Sequence, residues 1–297
     1  MIKPLRIFLI NSIICAATLY VAAQTNSQRT RVAVLDFGET ETGRRAAGKL
    51  AHALSSSDDL LIVARDESRA AAHGAGYAGS LNMSLQEARD LGAAIGCDFY
   101  ITGDAQTLRR SSSARPVYYE AYASIFIVST HTGRLIIWER PSFEAASPEE
   151  AEKSLLNDLG PRAALDADVM RKAQEAERNE RAQLRARAAT PVIEDAPDDE
   201  ATAAREGLRL PQPFRRLRPS YPETAARADA EATVDVQVEI DVDGEVSRAE
   251  IVRWAGFGLD EAAVTTVRQL HFRPAMRDGV PIPMRVLLRY NFRRPPK

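Results

Sequence analysis

The chain has 297 residues, 45% hydrophobic and 27% charged, with a formal net charge of −2. That length exceeds what one ordinary core fills, and the small net charge excludes a global field aimed at nucleic acid or an acidic membrane surface. Of the two cysteines, Cys15 lies in an N-terminal apolar run; once that run is removed, Cys97 has no partner for an intrachain disulfide.

Lys3 and Arg6 precede the apolar run Ile7–Ala23, and Val21-Ala22-Ala23 places small residues where a signal peptidase cuts. Residues 1–23 read as a signal peptide or as a retained anchor, the run being near the shortest that crosses a bilayer. Both readings export the remainder. Arg31–Phe37 (RVAVLDF) is a strand of the kind buried on both faces. A helix is expected over Thr40–Leu54, a second buried strand at Leu60–Val63, a short helix at Arg65–Ala72 and a loop at Gly74–Gly79. Ser84-Leu85-Gln86-Glu87 has capping-box character and opens a helix to about Ile95. Cys97, just before the apolar stretch Phe99–Ile101, reads as a small buried hydrophobe. Strands follow at Asp98–Leu108, Val117–Thr130 and Leu135–Arg140, the last two joined by the turn residues His131-Thr132-Gly133. A helix over Ser147–Leu159 completes an α/β domain with a mixed sheet, residues 30–160.

Residues 161–207 read as a charged linker. Pro161–Ala189 is rich in Ala, Arg, Glu and Gln, and a helix polar nearly all round spans solvent rather than packing. Thr190–Glu206 is acidic and proline-punctuated, the composition of a flexible segment. Residues 208–297 form a small third unit. Arg209–Tyr221 is extended and Pro222–Ala228 a short helix. Glu231–Val242 alternates Val234, Val236, Val238, Ile240 and Val242 against polar residues, as a half-buried strand does. Asp243-Gly244 is hairpin-turn chemistry, and Glu245–Arg253 the return. An amphipathic helix over Leu259–Leu270, a turn at Gly279-Val280-Pro281 and a last strand, Met284–Phe292, close the chain. The expected architecture is therefore an N-terminal mixed-sheet α/β domain, a charged helical linker, and a small C-terminal α+β domain with a three-stranded antiparallel sheet.

Motifs for chemistry are weak. Gly74-Ala75-Gly76-Tyr77-Ala78-Gly79 matches G-x-G-x-x-G, but a dinucleotide fingerprint needs a strand before it and a helix directly after. Asp241-Val242-Asp243-Gly244-Glu245 lacks the spacing of a calcium loop. His52, His73, His131 and His271 are scattered. The chain is expected to be non-enzymatic, with no catalytic, cofactor-binding or metal-ligating residue.

The C-terminal segment resembles the TonB C-terminal domain over about Pro211–Phe292. The residues that carry the likeness occur in the family's order: Arg218-Pro219-Ser220-Tyr221-Pro222, the strand Val234–Ile240, Asp241-Val242-Asp243-Gly244-Glu245-Val246, Gly258-Leu259-Asp260-Glu261-Ala262-Ala263, and Phe272-Arg273-Pro274-Ala275 with Gly279. The resemblance implies a periplasmic domain whose last strand pairs with an extended segment of an outer-membrane receptor or other envelope protein. The candidate partner-binding residues are Tyr221, Pro222, Met284, Arg285, Val286, Leu287, Leu288, Arg289 and Tyr290. Met284, Val286, Leu288 and Tyr290 alternate against Arg285, Leu287, Arg289 and Asn291.

Residues Thr30–Leu159 resemble the α/β domain of the curli-secretion protein CsgG and the N-terminal domain of TolB-like proteins. The likeness lies in Val32–Phe37 (VAVLDF), Leu61–Arg65 (LIVAR), Gly92–Gly103 (GAAIGCDFYITG) and Val128–Ile137 (VSTHTGRLII), and it implies an envelope assembly module. Ile7–Ala23 contains no histidine, unlike the motor-contacting helix of TonB itself. The expected protein is a periplasmic TonB-like adaptor of a Gram-negative bacterium, soluble or anchored through residues 7–23, supporting TonB-dependent transport in the manner of an energy transducer. The alternative is an oligomeric envelope scaffold working through the CsgG-like domain. Nucleic acid is not an expected partner, and membrane association is expected only if residues 7–23 are retained.

Overall fold

The computed structural model describes residues 29–113, 116–186, 193–197 and 200–294; the expected signal or anchor at 1–23 lies outside them. The chain begins with β1 (Thr30–Val34), α1 (Glu41–Leu54), β2 (Leu60–Ile62), α2 (Arg65–Gly74), β3 (Met83–Ser84) and α3 (Leu85–Ile95). It continues through β4 (Phe99–Arg110), β5 (Tyr118–Ser129), β6 (Leu135–Glu139) and β7 (Ser142–Ala145). β1 runs parallel to β2 and β4, and β4, β5 and β6 are antiparallel, in the order β2-β1-β4-β5-β6 with β7 also on β5. This is the expected mixed sheet, with β7 an addition.

Both faces of this sheet are covered, which is why its strands are apolar nearly without interruption. Alternate residues point to opposite faces. Val32, Val34, Phe99, Ile101, Ile125 and Ile127 pack with Leu50, Leu54, Leu155 and Met170 on one side. Ala33, Leu35, Tyr100, Phe126 and Val128 pack with Ala72, Ala88, Leu91 and Ile95 on the other. The helix starts follow their sequence signals: the Thr40 hydroxyl caps α1 at the Gly43 amide, and Ser84 with Glu87 completes a capping box on α3. Cys97 is buried in the second cluster, and burial pushes its thiol up to about 12.

Two expectations for the middle of the chain need correction. Pro148–Ala186 is one helix, α4, that continues through Pro161. Its second half does not stand in solvent: Ala163 and Met170 are buried in the N-terminal core, with Ala167 and Ala173 packed beside them. Apart from Met170 the stripe is made of alanines, whose small side chains let a helix approach a sheet closely with few of the large apolar residues that periodicity arguments weigh most. The flexible reading of Thr190–Glu206 also fails in its described parts. Glu194–Asp195 forms β8, and Glu200–Arg205 forms α5, with Ala203 buried.

The C-terminal elements are β9 (Leu208–Arg209), β10 (Gln212–Pro213), α6 (Glu223–Ala228), β11 (Ala232–Ile240), β12 (Val246–Trp254), α7 (Leu259–Val267), β13 (Phe272–Arg273), β14 (Ala275–Arg277), β15 (Val280–Ile282) and β16 (Met284–Phe292). The expected three antiparallel strands, β12-β11-β16, are present, but the sheet has five: β3-β12-β11-β16-β8. The N-terminal half contributes β3 and the linker contributes β8. Two small sheets, β10-β13 and β15-β14-β9, flank it. The β11–β12 turn is fixed by Asp241, whose Oδ1 accepts from the amides of Asp243 and Glu245, with Gly244 at φ 84°. α7 covers the apolar face, where Val234, Val236, Val238 and Ile240 meet Leu259, Ala263 and Val267.

The two halves are joined by main chain and by a buried tryptophan. Met83 and Ser84 pair with Trp254 and Arg253, and the Asn82 amide donates to the carbonyls of Thr233 (2.8 Å) and Trp254 (2.6 Å). Trp254, 1% exposed, enters the N-terminal core, stacks on Phe126 at 5.9 Å and donates its indole N–H to the Gly133 carbonyl at 3.1 Å. Phe257 packs against Phe126 and Trp138 from the same loop. Asp260 holds that loop by accepting from the amides of Ala255 and Gly256. Burial pushes its carboxyl up to about 6 although those two bonds pull the other way.

Candidate partner-binding strand edge

β16 pairs with β11 along its whole length, from Met284↔Ile240 to Phe292↔Ala232. Met284, Val286, Leu288, Tyr290 and Phe292 lie on the α7-covered face, and the hydroxyl of half-buried Tyr290 is pushed up by burial. Arg285, Leu287, Arg289 and Asn291 lie on the opposite face, which is polar. There Arg289 grips buried Asp235 through two bonds of 2.7 and 2.9 Å, and Arg285 donates to Glu239 at 3.0 Å. These hydrogen bonds are the leading reason both guanidinium groups are held above their ordinary range. Thr233 donates to the Asn291 side chain at 2.8 Å. Leu287 is left 55% exposed.

The direction of the backbone groups decides what the strand can still bind. The Arg285 carbonyl accepts from the Ala196 amide on the side away from β11. Backbone groups alternate in direction along a strand, so Leu287, Arg289 and Asn291 also present their N–H and C=O groups outward, and among the described residues no strand pairs with them. Val286 and Leu288 point their amides at β11 instead. β3 covers the outer margin of β12 only at Arg253 and Trp254, just as β8 covers β16 only at Met284 and Arg285, so among the described residues both margins of this sheet carry open backbone groups. Its two ends are secured: β8 pairs with Met284 and Arg285, while Arg293 and Arg294 bind Glu231, and Arg294 binds Asp229.

Tyr221 and Pro222 sit elsewhere. The Tyr221 hydroxyl donates to the Ala230 carbonyl at 2.7 Å and its ring packs on the α7-covered face, in the cluster holding Tyr290 and Phe292. Pro222 is the N-cap residue of α6. Both brace α6 and do not border the open backbone groups. Residues absent from the sequence-based site do border the edge, namely Glu194, Asp195, Ala196 and Arg277. Ile193 beside an acidic pair is a weak strand signal inside a composition that reads as linker.

A second concavity of about 540 Å³ lies between β6 and α7, lined by Leu135, Ile137, Trp138, Ile251 and Val264 with Arg134 and Glu250 beside them. None of the sequence-based site residues line it. Gly74–Gly79 spans the end of α2 and a loop, and the next helix begins only at Leu85. Among the described residues no cluster of three or more His, Cys, Asp and Glu side chains could hold a metal, and no helix is long and apolar enough to cross a membrane.

Comparison with known proteins gives one family match, on the C-terminal part, and likenesses to several solved structures. No curated protein matches the chain. The lipoprotein GNA1162 from Neisseria meningitidis is similar in structure at 11% identity and a TM-score of 0.33, over 47% of this chain and 98% of that one. The C-terminal domain of TonB from Pseudomonas aeruginosa is similar at 18% identity and a TM-score of 0.26, over 34% of this chain and 93% of that one. The C-terminal domain of LpoB from Salmonella enterica is similar at 12% identity and a TM-score of 0.27, over 42% and 90%. Residues 218–293, which contain α6, β11, β12, α7 and β16, match the family of the Gram-negative bacterial TonB protein C-terminal.

Proposed function

We propose that this chain is a protein-binding component of the Gram-negative envelope, in which the open margin of β16 takes up an extended segment of another envelope protein. The observation that carries this reading is the outward set of backbone groups on Leu287, Arg289 and Asn291, continuing a margin that β8 already uses at Met284 and Arg285. Main-chain pairing supplies affinity in such docking, and the flanking side chains select the sequence. The TonB family match at 218–293 supports the same reading. It extends to a periplasmic location, export through residues 1–23 and a contribution to TonB-dependent transport in the manner of an energy transducer. The CsgG- and TolB-like module would position the binding head, and catalysis plays no part.

The proline test belongs at Leu287. Its amide faces outward, so Leu287→Pro removes an edge donor while the β11 ladder survives. Val286→Pro breaks an internal bond and serves as the misfolding control. With circular dichroism unchanged, Leu287→Pro should weaken capture of outer-membrane receptor segments at least tenfold. Unchanged capture removes the proposal.

One observation favours self-association as a second reading. β2 is the margin of the N-terminal sheet, and Leu61 on it is 44% exposed, which suits edge-to-edge assembly into an envelope scaffold. Light scattering over a wide concentration range should then show oligomers that Leu61→Lys disperses; a monomer throughout ends this reading.

A further inference from the structure

The outer side of β16 is already occupied at its start. Met284 and Arg285 pair in parallel with Glu194 and Asp195, and the Ala196 amide donates to the Arg285 carbonyl at 2.8 Å. The segment thus uses the same outward line of backbone groups that continues, with no strand partner among the described residues, at Leu287 and Arg289. Side chains hold it too. Arg277 clasps both carboxylate oxygens of Glu194 at 2.8 and 2.7 Å, and Arg285 reaches Asp195 at 3.2 Å while shared with Glu239. Ala196 rests on the small cluster of Ala203, Leu208, Ala275 and Met284. Solvent-exposed ion pairs and a two-residue ladder hold weakly, so this strand can be displaced.

We infer that residues 193–197, Ile-Glu-Asp-Ala-Pro, are an internal occupant of the partner edge, and that the segment the edge accepts from a partner is likewise an extended acidic strand, which displaces them. The inference rests on the partner-edge reading and adds two things: the charge the edge selects, and a gate supplied by the chain itself. Arg277 and Arg285 already bind carboxylates from the occupying strand, and Arg289 lies further along the same margin with its side chain 58% exposed. A longer acidic strand in the same register meets all three.

The test uses the full chain and the double variant Glu194→Lys, Asp195→Lys, which puts cations against Arg277 and Arg285. Exchange of the Ala196 amide should be slowed at least tenfold in the wild type and approach the free rate in the variant, while β11 amides stay protected in both. A synthetic peptide of residues 193–197 should bind the variant at least tenfold more tightly than the wild type, and the Gln-Asn form of the peptide should lose that gain. An unprotected Ala196 amide in the wild type overturns the inference, as does equal affinity of the acidic peptide for the two chains. Equal binding of the neutral peptide overturns the acidic preference. Leu287→Pro leaves the Ala196–Arg285 bond in place, so its effect on receptor-segment capture judges the partner edge separately from the gate.

Discussion

Removing the Trp254 side chain should uncouple the two halves of the chain. Trp254 is 1% exposed, sits in the core cluster of the N-terminal sheet and belongs to a strand of the C-terminal sheet. Truncating a buried tryptophan to alanine costs about 3–5 kcal/mol through lost burial and the void left behind. The stack on Phe126 and the bond to the Gly133 carbonyl contribute roughly 1 kcal/mol each within that range. We expect Trp254→Ala to cost about 4 kcal/mol, a large part of the roughly 5–15 kcal/mol typical of folded domains. The chain has two tryptophans, and the other, Trp138, lies on the opposite wall of the same interface, 5.2 Å from Phe257. In the variant, Trp138 emission therefore reports the interface alone. It should shift to the red at a denaturant concentration below that at which circular dichroism records loss of the N-terminal sheet. Trp254→Phe keeps most of the packing and should cost about 2 kcal/mol. A loss below about 1 kcal/mol for Trp254→Ala, or Trp138 emission that changes only together with the circular dichroism, refutes the view that this side chain ties the halves together.

Two further outcomes follow from buried groups. Asp166 on α4 is 2% exposed, and burial, with the Glu139 charge adding and Arg162 opposing, pushes its carboxyl up to about 7 from 3.8. The folded chain keeps this proton where an unfolded aspartate has lost it, so stability falls as pH rises from about 4 to 7. At about 1.4 kcal/mol per pH unit the full penalty is on the order of 4 kcal/mol above pH 7. Asp166→Asn should thus gain roughly 2–4 kcal/mol in urea unfolding at pH 8 and nothing at pH 4; an equal effect at both pH values rejects the burial argument. Gly133 has φ 72°, and a Cβ there would run into the Leu85 carbonyl at the start of α3. Gly133→Ala should cost at least about 2 kcal/mol, because the strained φ and the backbone collision add. A thermal shift under about 2 °C, for a change of that size, contradicts the geometry.

Local geometry was legible in the residues themselves. The Ser84–Glu87 capping box, the Asp243-Gly244 turn and the alternation along β11 and β16 depend on neighbours within a few positions, and each forms where its signal lies. Side-chain alternation told which face of β16 is buried. It could not tell which backbone amides face β11 and which face outward, because that depends on the neighbouring strand; this is why Leu287 rather than Val286 carries an edge donor. Nor could periodicity show that an alanine stripe seats α4 on the sheet, or that β3 and β8 extend the C-terminal sheet from distant parts of the chain. Two-residue strands such as Met83–Ser84 and Glu194–Asp195 have no period of their own and exist only because a longer strand offers them unpaired groups. Sequence alone determined the turns, the caps and the buried faces, since these are settled by torsional preference and apolar spacing over a few residues. Only the tertiary structure decided where β3 and β8 pair along the sheet margins and which backbone groups stay open, because strand pairing is a contact between residues that the chain order keeps far apart.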